Sequence, residues 1–86
     1  MNWDFLLSHD AARSLRRMSA RDRDRINRAL NDMKEDPLRG DVTPLRGPYQ
    51  GSFRRRVGAW RILFALDLEQ KIIEVHDIRR RTSTTY

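Results

Sequence analysis

The sequence predicts an α+β fold in which an N-terminal strand and a two-helix hairpin precede a three-stranded antiparallel meander, in the order β-α-α-β-β-β. Three patterns carry this expectation: an apolar alternation at the start, two runs of helical spacing between residues 10 and 36, and three β-type runs after a segment holding all three prolines. Eighty-six residues leave room for one core, so 1–86 is read as a single domain.

Trp3, Phe5 and Leu7 alternate with Asn2, Asp4 and Leu6, the two-residue period of a short strand that Ser8 or His9 ends. Ala11, Ala12, Leu15 and Met18 then share one helix face, with Arg13, Arg16 and Arg17 on the other. Ser19 followed by Asp22 resembles a capping box and opens a second helix with Ile26, Ala29, Leu30 and Met33 on its apolar face. Asp22 and Asp24 lie near the positive end of that helix dipole. Pro37 drives Asp36 toward extended geometry and stops the helix, so the two helices are expected to form a hairpin.

Residues 37–51 hold three of the four glycines as well as the prolines and are expected to form a loop, with Leu38, Val42 and Leu45 anchoring it to the core. Its length is near the upper end for a compact domain, which points to a functional or partner-contacting role. Phe53 to Val57, Trp60 to Leu66 and Ile72 to Ile78 read as the three strands of the meander. Ile73 and Val75 share a phase that Ile78 breaks, which calls for a bulge near His76 or Asp77.

Hydrophobic residues make up 38% and charged residues 35% of the chain, polar for a globular protein but with periodic apolar segments that disorder lacks. Cysteine is absent, which excludes disulfides and thiolate metal sites, and two histidines do not suggest zinc; no metal or cofactor is expected. No apolar run approaches the roughly 20 residues of a bilayer span, and the first eight residues lack the pattern of a signal peptide, so a cytoplasmic protein without a membrane partner is expected. The net charge of +6 favours a polyanionic partner. Most of that excess lies in residues 52–86, where 8 basic residues face 4 acidic ones, a net of +4.

Gly58 and Ala59 separate the first two strands of the meander, and Gly at the first central position suits a type II′ turn. Closing the hairpin there sets Val57 opposite Trp60, Arg56 opposite Arg61, Arg55 opposite Ile62, Arg54 opposite Leu63 and Phe53 opposite Phe64. One face then carries Val57, Trp60, Ile62, Phe64 and Leu66 toward the core, with Arg55 over its edge, its stem buried. The other face carries Arg54, Arg56 and Arg61. Arginines on facing strand positions repel, so stability alone does not select them, whereas an anion between them resolves the conflict because guanidinium forks bind phosphate oxygens bidentately. The competing account is a solvated face paired with acids such as Glu74.

These residues resemble the RelE/ParE superfamily of bacterial and archaeal type II toxins over nearly the whole chain. The resemblance rests on Glu35-Asp36-Pro37, on Leu45-Arg46-Gly47, on Phe53 to Phe64, and on Val75 to Arg81 with the terminal Tyr86. Arg56 to Phe64 is its most specific part, with the form "RVGxYRxxY/F" and Trp60 in the aromatic place. The resemblance implies a RelE-like toxin that cleaves mRNA on the ribosome and inhibits translation. It also implies an acidic antitoxin partner and a toxin–antitoxin hetero-oligomer that binds operator DNA. A ParE-like gyrase inhibitor without nuclease activity, or a degenerate toxin that only binds its antitoxin, stays open as an alternative. Ser52 stands where the RelE type has a basic residue, and Arg54 replaces a lysine.

By resemblance, Arg61, Arg81 and Tyr86 are the catalytic residues and Arg54, Arg56, Arg79 and Arg80 bind RNA, with Arg80 an alternative to Arg81 as the late arginine. Arginine cannot act as a base near neutral pH, so Arg61 is expected to stabilise charge on the scissile phosphate. Tyr86 is the implied base, because neighbouring arginines favour phenolate. His76 is the chemical alternative, although its place among apolar residues also suits a partly buried strand histidine. His9 is expected at the surface.

Overall fold

A computed structural model of the chain describes residues 2–80. Strand β1 (Asp4–Leu7) leads into helices α1 (His9–Arg17) and α2 (Ala20–Met33). Strands β2 (Val42–Pro44), β3 (Ser52–Val57), β4 (Trp60–Asp67) and β5 (Ile72–Arg80) follow, with a 3₁₀ turn at Gly47–Tyr49 between β2 and β3. All five strands form one sheet in the order β1-β5-β4-β3-β2, antiparallel from β2 to β5, with β1 parallel to β5 at the far edge.

Both helix starts follow from serine. The Ser19 hydroxyl accepts a hydrogen bond from the Asp22 amide at 3.2 Å, the capping arrangement the sequence suggested. Ser8 caps α1 by accepting from the Ala11 amide at 3.0 Å, and its hydroxyl donates to the His76 carbonyl at 2.5 Å. One hydroxyl thus starts a helix and ties it to the last strand. Ser8→Ala is expected to cost about 1–2 kcal/mol, checked by the urea midpoint of unfolding. At the other end of α1, Arg23 satisfies two terminal carbonyls, donating through Nε to Leu15 at 3.2 Å and through Nη2 to Met18 at 2.9 Å. This closes the helical hairpin.

The apolar faces of the helices meet one face of the sheet. Ala11, Leu15, Met18, Ile26, Ala29, Leu30 and Met33 pack with Ile62, Phe64, Ile73, Val75 and Ile78 into a single buried cluster. Phe53 stacks on Phe64 with ring centroids 5.5 Å apart. The β3–β4 register is the one expected from the Gly58-Ala59 turn, from Val57 opposite Trp60 to Phe53 opposite Phe64. Gly58 takes φ +57°, the left-handed value that a type II′ turn requires at its first central residue. In the β4–β5 ladder Leu63 faces Asp77 while Phe64 faces Val75. His76 is therefore the extra residue of a bulge, which returns Ile78 to the core phase of Ile73 and Val75.

Residues 37–51 depart from the expected loop. Val42, Thr43 and Pro44 pair with Arg55, Arg54 and Phe53, so the sheet has five strands where the meander alone supplied three and the N-terminal strand a fourth. Strand propensity was masked by Pro44, which is tolerated because β2 lies at an edge where its missing N–H is not needed. Leu38 does not anchor the segment: it is 49% exposed, and Pro37 is buried instead. Val42 packs against the core, but Leu45 turns to the opposite side of the sheet, where it lines a cavity. Arg55 lies on the core side of the sheet, half-buried, and donates to the Arg39 carbonyl at 2.8 Å. That bond holds the segment's first turn against β3.

Candidate functional site

The sheet face away from the helices is built by the alternate residues of each strand. In β3 these are Ser52, Arg54 and Arg56; in β4, Arg61, Leu63 and Ala65; in β5 beyond the bulge, Asp77 and Arg79. Arg61 sits on the central strand with arginine in both ladder positions beside it, Arg56 on β3 and Arg79 on β5. Like charges at facing positions cost a few tenths to about 1 kcal/mol per pair, a cost that both ladder positions beside Arg61 carry.

The arginines frame a cavity of about 390 Å³ lined by Arg54, Arg61, Leu63 and Arg79 from the sheet and by Leu45 and Tyr49 from the segment between β2 and β3. Its size falls in the roughly 300–1,000 Å³ range of small-ligand sites. Hydrogen bonds orient Arg54 and Arg79. Arg54 donates through Nη2 to the Thr43 hydroxyl at 3.2 Å, while its Nε is buried with no hydrogen-bond partner among the described residues. Arg79 donates through Nε to Asp77 Oδ2 at 2.8 Å. Asp77 is thus the acid beside this cluster, while Glu74, which the competing account invoked, faces Ala65 in the ladder.

Of the residues singled out in the sequence, Arg54, Arg61 and Arg79 converge on the cavity, and Arg56 lies at its side, exposed. Arg80 does not join them. It pairs with Trp60 across the β4–β5 ladder and lies over the Trp60 ring, 5.7 Å from its centroid, on the face that carries the core. His76 is exposed rather than partly buried, because the bulge lifts it out of the core phase. His9, the first residue of α1, is exposed as expected. Arg81 and Tyr86 lie outside the described residues.

Leu45, Leu63 and Tyr49 were not foreseen as lining residues. Leu63 was legible in principle, since it shares the two-residue phase of Arg61; Tyr49 was not, because its position depends on how the segment after β2 folds back. The Arg56–Arg61 conflict gives a further prediction. Arg56→Gln is expected to raise the stability of the free protein by a few tenths of a kcal/mol at low ionic strength, with the gain shrinking in salt. Urea unfolding at two salt concentrations measures it.

No family model matches the sequence, and no curated protein matches it. Solved structures do match the fold. A chain of the toxin–antitoxin complex RelBE2 from Mycobacterium tuberculosis aligns with a TM-score of 0.86 at 24% identity, over 94% of this chain and 100% of that one. The archaeal RelE–RelB complex from Pyrococcus horikoshii OT3 gives 0.83 at 18% identity, covering 98% of this chain and 100% of that one. The YoeB/ParE toxin from Agrobacterium tumefaciens gives 0.80 at 21%, covering 92% of this chain and 99% of that one. The chain has the RelE/ParE-like toxin fold. Its structural similarity extends to RelE and YoeB toxins of type II toxin–antitoxin systems.

Proposed function

We propose that the protein is the toxin of a type II toxin–antitoxin system and acts as a ribosome-dependent mRNA endonuclease. The observation that carries this is the placement of Arg61 between Arg56 and Arg79 at the wall of a cavity that Arg54 also lines. An RNA phosphate in that cavity turns a repulsive cluster into a charge-assisted site. In the proposed reaction a base removes the proton of the ribose 2′-hydroxyl, the resulting oxygen attacks phosphorus, and the 5′-oxygen leaves as it takes up a proton. Arg61 stabilises the charge that builds on the phosphoryl oxygens, and Arg54 and Arg79 hold the phosphate in line. Arg56 extends the positive field along the backbone of the RNA. Tyr86 is the proposed base and Arg81 a further proposed catalytic residue; His76 is the alternative base.

The antitoxin partner is supported by the neighbours, two of which are RelBE-type complexes. A small domain of net charge +6 invites an acidic segment to wrap it. Inducing the protein in cells, mapping transcript 5′ ends and assaying plasmid supercoiling in parallel tests the proposal. New cuts inside translated codons that vanish with Arg61→Ala are expected. Intact transcripts together with gyrase-trapped DNA would replace the nuclease with a gyrase inhibitor.

A further inference from the structure

The cavity beside Arg61 has two chemical halves. Arg54, Arg61 and Arg79 supply positive charge from three neighbouring strands, whereas Leu45, Leu63 and Tyr49 supply apolar and aromatic surface. A site for phosphate alone needs only the first half. Tyr49 is 57% exposed and borders the leucine side chains of this cavity.

Its backbone belongs to a hydrogen-bonded turn. The 3₁₀ turn Gly47–Tyr49 carries Pro48 in its first turn, Gly47 takes the left-handed φ of +66°, and the Gln50 amide donates to the Gly47 carbonyl at 3.0 Å. The Leu45 amide donates to the Ser52 carbonyl at 2.9 Å, which closes the segment onto β3 at the edge of the cavity. A hydrogen-bonded turn therefore presents a solvent-facing ring on a cavity that three arginines also line. Exposed aromatics interleaved with arginine are the arrangement that takes up a base by stacking and its phosphate by charge.

We infer that this cavity is a single-nucleotide pocket in which Tyr49 stacks on the base while Arg54, Arg61 and Arg79 hold the attached phosphate. The inference rests on the phosphate-binding role proposed above and adds the base, making Tyr49 a positioning residue for the RNA. Stacking has no requirement for the phenol hydroxyl, so Tyr49→Phe keeps the function and Tyr49→Ala loses it. Because each base has a π-face, the pocket selects for the presence of a base more than for its identity.

Adenosine 5′-monophosphate and ribose 5-phosphate, which differ in the base alone, test this by NMR titration of the full chain. The expected result is that adenosine 5′-monophosphate binds roughly tenfold or more tightly than ribose 5-phosphate, and that the advantage persists in Tyr49→Phe and disappears in Tyr49→Ala. Amide spectra of the variants confirm that the fold is retained. Equal affinity for both ligands, each weakened by Arg61→Ala, overturns the base pocket and leaves the phosphate site standing. An advantage that survives Tyr49→Ala also overturns it, since the base then lies elsewhere. Binding of neither ligand, or binding indifferent to Arg61→Ala, removes the pocket and the phosphate site together.

Discussion

On the proposed nuclease function, Arg61→Ala is expected to slow mRNA cleavage on programmed ribosomes by about two to three orders of magnitude, the usual cost of removing one preorganised donor from a developing oxyanion. The side chain is half-buried on the face away from the core, so the truncation leaves the packing of Ile62 and Phe64 untouched. The free protein should unfold close to the parent, because the side chain removed lies outside the core. Loss of activity together with retained stability separates a catalytic role from a structural one. Arg61→Lys restores charge without the bidentate fork and should recover only part of the rate. Full activity of Arg61→Ala in a single-turnover assay would remove this residue from the chemistry.

The largest expected effect on stability is at the centre of the opposite face. Phe64 is fully buried in the core cluster to which both helices contribute and stacks on Phe53. Phe64→Ala removes that ring from a core that cannot readily collapse around the gap, at a cost of about 3–5 kcal/mol. Small domains have total stabilities of roughly 5–15 kcal/mol, and each kcal/mol lowers the melting temperature of a domain this size by roughly 4–8 °C. Thermal unfolding followed by circular dichroism should therefore show a drop of tens of degrees, with much of the chain unfolded at 37 °C. A shift of only a few degrees would mean that the core repacks.

The hairpin register was legible because a two-residue turn with Gly58 leaves one pairing that keeps Ile62 and Phe64 on the same side as Val57 and Trp60. The bulge at His76 was legible for the same reason, from the broken phase of Ile78. Strand β2 was hidden, since three residues ending in Pro44 carry no periodicity and owe their conformation to β3 beside them. The same tertiary cause hid Tyr49. As for the site, Arg54, Arg56 and Arg61 could be placed on one face from the sequence, but Arg79 and Arg80 could not be told apart until the bulge fixed the phase of β5. That distinction sends Arg79 to the cavity and Arg80 to Trp60.

The pairing of β1 with β5 has a bearing on how the protein is made. Ser8 and His76, hydrogen-bonded in the finished sheet, are 68 residues apart, and closing a loop of that length costs on the order of 4 kcal/mol in chain entropy before any contact is gained. The helical hairpin can form early from local contacts, whereas the parallel β1–β5 ladder waits until β5 has been made. Arg79 arrives on that same last strand. A nascent chain that still lacks β5 consequently lacks both the strand that covers its core and one of the three arginines at the cavity.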